Sequence, residues 1–263
     1  MTLWPNRRTA AGGRDPESGP SSEGKLVYVV GDVHGRHDLL MALLAKLVAD
    51  SRERAYGRRP ILIFCGDYVD RGPDSAKVVE TVIQLQRRAD FDVRLLKGNH
   101  EQAMLDFLRD PSEMAAWFRF GGTETLASYG VELGEEPSDD DLIAARDRLL
   151  EHLPATHLHM LHQLELMLIV GDYAVVHAGV RPGVALESQS EQDLLWIRDA
   201  FIDVEGPFEK VIVHGHTWKG SQPQFESHRI GVDTGAYQTG VLTAVRLDGR
   251  DITFLQADLS DAV

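Results

Sequence analysis

Short runs of β-branched and aromatic residues alternate along the chain with longer stretches of helical spacing. Residues 26–30 (LVYVV) are apolar throughout, the pattern of a strand buried on both faces. Residues 37–50 then place Leu39, Leu40, Leu43, Leu44 and Leu47 on one side of a helix. A second strand is predicted over 61–64 (ILIF), a second helix over 75–88, and a third strand near 93–96 that leads into a helix from Glu101. This alternation predicts an α/β fold, with a sheet that is at least partly parallel and covered by helices.

The middle of the chain breaks the pattern. Residues 102–161 contain helical periodicity and loops but no strand candidate. Within them the run Pro137-Ser138-Asp139-Asp140-Asp141 reads as an acidic N-cap before a helix over 142–153. Strands return at 164–170 and 173–177, a hairpin about Gly171-Asp172, and then at 211–213, 230–232, 241–247 and 252–255. The layout predicts one α/β domain over 25–263 with a helical cap insertion over about 102–161. Residues 1–24 are aperiodic and rich in Gly, Pro, Ser and Arg, and are expected to form a disordered arm. Arg7-Arg8 is followed by no apolar stretch or small-residue cleavage site, so a cytoplasmic protein is expected.

Polar clusters follow the strands: Gly31-Asp32-Val33-His34-Gly35, Gly66-Asp67-Tyr68-Val69-Asp70-Arg71-Gly72, Gly98-Asn99-His100-Glu101, His177-Ala178-Gly179 and His214-Gly215-His216-Thr217. Carboxyl ends of strands line the ligand crevice of open α/β sheets, so these loops are expected to converge. Carboxylate, imidazole and amide donors without thiolate suit divalent Mn, Fe or Zn. Two such cations close together are the usual arrangement for displacement at phosphorus. Asp32 and His34 would serve one, Asn99, His177 and a C-terminal histidine the other, and Asp67 both. His214 and His216 lie two apart, so in a strand both would face the same side. His157, His159 and His162 share no strict helical face and read as surface or cap residues. Each motif alone has an ordinary explanation as a turn, a cap or a core histidine; their joint order does not.

Composition narrows the function. The chain has 263 residues, with 27 Lys+Arg against 41 Asp+Glu and a net charge of −14, which disfavours nucleic acid as a partner. One cysteine, Cys65, excludes an internal disulfide and a cysteine-rich zinc module, and it reads as an inert buried residue. No apolar run is long enough for a membrane-spanning helix.

The motif set GDVHG, GDYVDRG, GNHE, HAG and HGHT resembles the phosphoprotein phosphatases of the calcineurin-like metallophosphoesterase superfamily, and in particular their compact bacterial serine/threonine members. The resemblance runs from Gly31 to about Leu247. It implies a β-sandwich flanked by helices, with two divalent metal ions, manganese first and iron or zinc as alternatives. It implies Asp32, His34, Asp67, Asn99, His177 and His216 as metal ligands, with Asn99 also beside the substrate phosphate. It further implies His100 as general acid oriented by Asp70, Arg71 and Arg198 as phosphate clamps, and a metal-bridging hydroxide as nucleophile. His214 would support His216 from behind.

The implied substrate is a phosphorylated protein or a small phosphate ester. A symmetrical diadenosine tetraphosphatase is the alternative within the superfamily; a phosphodiesterase and a non-catalytic phosphatase-fold scaffold are remoter ones. After Asp233-Thr234-Gly235-Ala236 the chain passes directly into a strand, with no long toxin-binding loop or extended regulatory tail, so no regulatory subunit is implied.

Overall fold

The computed structural model describes residues 19–261. The first half begins β1 (Leu26–Val30), α1 (His37–Arg54), β2 (Ile61–Phe64), α2 (Ser75–Gln86), β3 (Asp92–Leu95) and α3 (Asn99–Arg109). A helical segment follows: a 3-10 helix (Ser112–Phe120), α4 (Gly122–Ser128), α5 (Asp139–His152) and α6 (Ala155–His162). The chain then runs through β4 (Met167–Val170), β5 (Tyr173–Val176), α7 (Glu191–Trp196), α8 (Asp199–Ile202), β6 (Val211–His214), β7 (Gln224–Phe225) and β8 (Arg229–Gly231). It ends with α9 (Ala236–Thr239), β9 (Val241–Asp248) and β10 (Asp251–Asp258).

The strands form two five-stranded mixed sheets, ordered β10-β9-β1-β2-β3 and β4-β5-β6-β8-β7. β1, β2 and β3 are parallel, as are β5, β6 and β8, while β9, β4 and β7 pair antiparallel with their neighbours. The period of two sorts the side chains. Leu26, Tyr28, Val30, Leu62 and Phe64 pack under α1 and α2, whereas Val27, Val29, Ile63 and Cys65 face the second sheet against Tyr173, Val175, Val211, Val213 and Ile230. The outer face of the second sheet, with Ala174, Val176 and Ile212, is covered by Leu194, Ile197 and Phe201 from α7 and α8 and the turn between them. The α/β β-sandwich flanked by helices is the architecture that the motif resemblance implies.

Several sequence expectations need revision. The GNHE segment enters its helix at Asn99, so Asn99 and His100 belong to the first turn of α3. α5 starts at Asp139 because Ser138 caps it, its side chain accepting from Asp141 N while the Asp141 carboxylate accepts from Ser138 N. The two-residue β7 and the short α7, α8 and α9 carry too few residues for a periodic signal. Ser21 to Gly24 do not extend as an arm: the Ser21 N–H donates to the Asp172 carboxylate while the Ser21 carbonyl accepts the Asp172 N–H, and the Ser22 N–H donates to the Gly249 carbonyl while the Ser22 hydroxyl accepts the Gly249 N–H. Residues 1–18 of the expected arm lie outside the described residues. No described helix is long and apolar enough to cross a membrane.

Candidate active site

The parallel strands of both sheets deliver their carboxyl ends to one place. Gly31, just past β1, lies so close to Val232, just past β8, that a Cβ there would sit 2.3 Å from the Val232 carbonyl oxygen. This contact joins the two sheets directly beneath Asp32 and Asp233.

Asp67 is at the centre and is fully buried. Its Oδ2 lies 3.5 Å from His34 Nε2, and its Oδ1 lies 3.5 Å from His177 Nε2. His34 donates from Nδ1 to the Val69 carbonyl at 2.9 Å, and His177 donates from Nδ1 to the Cys65 carbonyl at 2.8 Å. Each bond fixes the tautomer, leaving an Nε2 lone pair turned to the Asp67 carboxylate. His177 Nε2 is also 2.9 Å from Asn99 Oδ1, two acceptor-type atoms facing each other. The His216 ring stacks edge-on with that of His177, centroids 5.0 Å apart, and its buried Nε2 has no protein partner. Asp32 accepts the backbone N–H of His216 through Oδ2 at 2.9 Å, while its Oδ1 is buried and unpartnered.

Electrostatics follow from this crowding. Burial pushes the Asp67 carboxyl up, but His177, His100, His34 and His216 outweigh it and hold the group below the usual carboxylate range. Burial, with Asp233 and Asp67 beside it, pushes Asp32 well above that range. Burial drives His34 down to about 3 and, with His177 nearby, drives His216 down to about 2. Neutral imidazoles, crowded carboxylates and orphaned buried donor atoms fit a cation and are costly without one. Two groups bring ligand atoms within 4.8 Å of one another, His34–Asp67–His100 and Asp67–His177–His216, and each is able to hold a metal ion.

His100 Nδ1 donates to Asp70 Oδ2 at 2.6 Å. Burial lowers the affinity of this imidazole for a proton, but the Asp67 charge and the Asp70 bond outweigh it, leaving the pKa raised. Asp70 Oδ2 also accepts from Trp117 Nε1 at 2.7 Å, and Oδ1 accepts from Thr125 Oγ1 at 2.6 Å. Arg71 places Nη2 3.4 Å from His100 Nε2, and its guanidinium carbon lies 4.4 Å above the Tyr237 ring. Arg198 is exposed before α8, close enough for its charge to oppose protonation of His177 and His216.

The structure thus brings Asp32, His34, Asp67, Asn99, His100, His177 and His216 together, with Asp70 and Arg71 beside them and Arg198 at the edge. His214 departs from the sequence reading. β6 ends at His214, and His216 has a left-handed backbone (φ 61), so the two do not face one side. His214 packs edge-on against Phe201 instead, centroids 5.1 Å apart. His157 is buried rather than a surface group, bridging Tyr129 and Glu80 at 2.9 and 3.0 Å.

Residues given no role at the site from sequence are Glu101, Trp117, Thr125, Asp233 and Tyr237. Glu101 accepts four backbone N–H bonds, from Asp67, Tyr68, Val69 and Gly98, at 2.8–3.2 Å, and so shapes the GDYVD loop. Its burial and the Asp67 charge push it up to about 7, against the His100 charge and the backbone bonds from Val69 and Gly98. Non-glycine residues with positive φ include His34, Asp67, Asp70, Arg71 and His216, a strained set concentrated at the site.

The family model "Calcineurin-like phosphoesterase" matches residues 25–234. The chain belongs to that family. Calcineurin-like phosphoesterases hydrolyse phosphoester bonds with metal ions, and the His and Asp clusters above are suited to holding them. The chain is 28% identical to serine/threonine-protein phosphatase 1 of Salmonella typhimurium, over 84% of this chain and 91% of the relative. It is 25% identical to the asymmetrical bis(5'-nucleosyl)-tetraphosphatase PrpE of Bacillus velezensis, over 88% and 92%. In fold it is similar to a protein serine/threonine phosphatase from Saccharomyces cerevisiae, with a TM-score of 0.51, 17% identity, and coverage of 89% of this chain and 80% of that one.

Proposed function

We propose that this phosphoesterase removes phosphate from serine and threonine residues of proteins. The observation that carries the reading is the His100–Asp70 pair: a buried imidazole, hydrogen-bonded at 2.6 Å to a carboxylate and shifted toward its protonated form. A serine or threonine alkoxide is a poor leaving group and needs a proton as the P–O bond breaks, whereas a nucleotide phosphate leaves as a stable anion without one. A purpose-built proton donor therefore favours phosphomonoesters of aliphatic alcohols.

In this reading Asp32, His34 and Asp67 hold one divalent ion, and Asp67, Asn99, His177 and His216 hold a second. Bound there, the ions supply Lewis-acid activation of water and of the phosphoryl oxygens. His100 is kept for proton delivery rather than ligation because Arg71 Nη2, 3.4 Å from its Nε2, would oppose a cation at that nitrogen. Arg71 and Arg198 bind the phosphoryl oxygens by charge-assisted hydrogen bonds. Asn99, at the start of α3, places its amide beside the same phosphate and sets His100, the next residue, on the leaving-group side. The helical segment 102–161 acts as a cap over that side. Manganese is the first metal to supply, with iron and zinc next.

The second reading, dinucleotide hydrolysis, is favoured by the relative named as a tetraphosphatase; that name specifies asymmetrical rather than symmetrical cleavage. One comparison separates the two. Manganese-loaded protein is given a phosphothreonine peptide and diadenosine tetraphosphate, each with and without EDTA. EDTA-sensitive phosphate release from the peptide, with slow dinucleotide cleavage, supports the protein phosphatase reading. Preferential nucleotide release overturns it.

A further inference from the structure

The carboxylate that orients His100 is held by the helical segment, not by the sandwich. Asp70 is fully buried, and among the described residues its carboxylate receives one hydrogen bond from His100 and two from the segment beyond α3. Trp117 in the 3-10 helix donates to Oδ2, the same oxygen that His100 uses, and Thr125 in α4 donates to Oδ1. Thr125 Oγ1 also accepts the backbone N–H of Asp70 at 2.8 Å, a donor shared with Ser75 Oγ of α2 at 3.0 Å, so one hydroxyl meets both the main chain and the side chain. Further bonds run between the same pieces: Arg71 N to the Gly121 carbonyl at 3.3 Å, and Ala76 N to Ser128 Oγ at 3.1 Å.

The glycines of Phe120-Gly121-Gly122-Thr123 belong to this docking. A Cβ at Gly121 would lie 2.3 Å from Arg71 N, and one at Gly122 would lie 2.6 Å from the Trp117 ring. Without Trp117 and Thr125, Asp70 would sit in a left-handed backbone (φ 74) with two fewer donors on its carboxylate. A buried carboxylate that has lost its partners does not hold one rotamer, and the imidazole it orients is released with it.

We infer that Trp117 and Thr125 are positioning residues for the proton-donating histidine, and that docking of the helical segment sets which leaving groups the enzyme can expel. Esters of aliphatic alcohols need the docked segment. Activated aryl esters, whose leaving group departs without a proton, need it much less. The inference rests on the reading of His100 as the proton donor.

The test compares manganese-loaded wild type, W117F, T125V, T125S and H100N on a phosphothreonine peptide and on p-nitrophenyl phosphate, with metal content measured for each. Loss of one charge-assisted hydrogen bond predicts that the peptide-to-aryl ratio of kcat falls about tenfold in W117F and in T125V. T125S keeps the hydroxyl and is expected to keep the ratio. H100N sets the floor. A ratio unchanged in W117F and T125V but lowered in H100N overturns the inference and leaves the acid in place. Equal loss on both substrates in W117F and T125V also overturns it, since that is what a merely structural role produces. A ratio unchanged in H100N removes the acid itself, and the inference with it.

Discussion

The backbone N–H of His216 donates to the Asp32 carboxylate at 2.9 Å across 184 residues of sequence. This bond ties a residue following β1 in one sheet to a residue following β6, the second of the three parallel strands in the other. It holds one Asp32 oxygen in place and leaves the second aimed where Gly215 provides the room; a Cβ at that glycine would fall 2.1 Å from Asp32 Oδ1. The site is thus closed across the interface of the sandwich.

Asp67 presents different oxygens to His34 and to His177, so one side chain serves both halves of the site. Asp67→Asn is expected to lower the metal stoichiometry below two per chain and to cut phosphatase turnover by about a hundredfold or more. Elemental analysis of the dialysed protein checks the first part. Retention of two ions would remove Asp67 as the shared ligand.

Removing metal leaves Asp32, Asp67 and Asp233 packed together in a buried site, with Asp32 and Asp233 both pushed upward by burial. A cation that binds only the folded chain stabilises it by mass action, about 2.7 kcal/mol at a hundredfold excess over Kd. EDTA is therefore expected to lower Tm and abolish turnover together, and manganese to restore both. Thermal melts across a manganese titration read the coupling, and a Tm indifferent to metal would count against it.

Tyr237 carries the Arg71 guanidinium on its face at 4.4 Å, while the ring meets His34 edge-on with centroids 5.3 Å apart. A partly buried cation–π contact of about 1 kcal/mol corresponds to roughly fivefold in affinity. Tyr237→Leu is expected to weaken competitive inhibition by inorganic phosphate by that factor, and Tyr237→Phe to leave it near wild type. Equal inhibition constants for all three proteins would show that Arg71 does not depend on the ring.

Glu101 is a structural keystone of the GDYVD loop through its four backbone N–H bonds. Glu101→Gln turns an NH2 group toward two of those donors, leaving them buried and unpaired. The expected loss is about 3 kcal/mol in folding stability, measured by urea denaturation. The midpoint should fall with little change in slope, because the unfolded chain exposes the same surface.

Much of this protein is decided locally and is therefore legible in its sequence. β1 and β2 are apolar throughout because both faces are covered, and α1 shows its leucine stripe because one face is covered. The residue types at the strand ends, Asp, His and Asn beside glycine, announce metal chemistry wherever they lie in space. The tertiary structure alone decides their partners. Two sheets rather than one could not be read from strand patterns, since pairing order leaves no local period. Where β6 stops and the backbone turns left-handed, His214 and His216 part, although a continuous strand would put them side by side. Trp117 and Thr125 carry no signature of catalysis: indole and hydroxyl are ordinary core and helix groups until the chain brings them to Asp70, 47 and 55 residues away. Periodicity records which side of an element is dry, but hydrogen bonds between distant residues depend on how the elements are stacked. That is why the residues gathered at the site are legible in the sequence, while the hydrogen bonds around His100 and Asp70 emerge only in the fold.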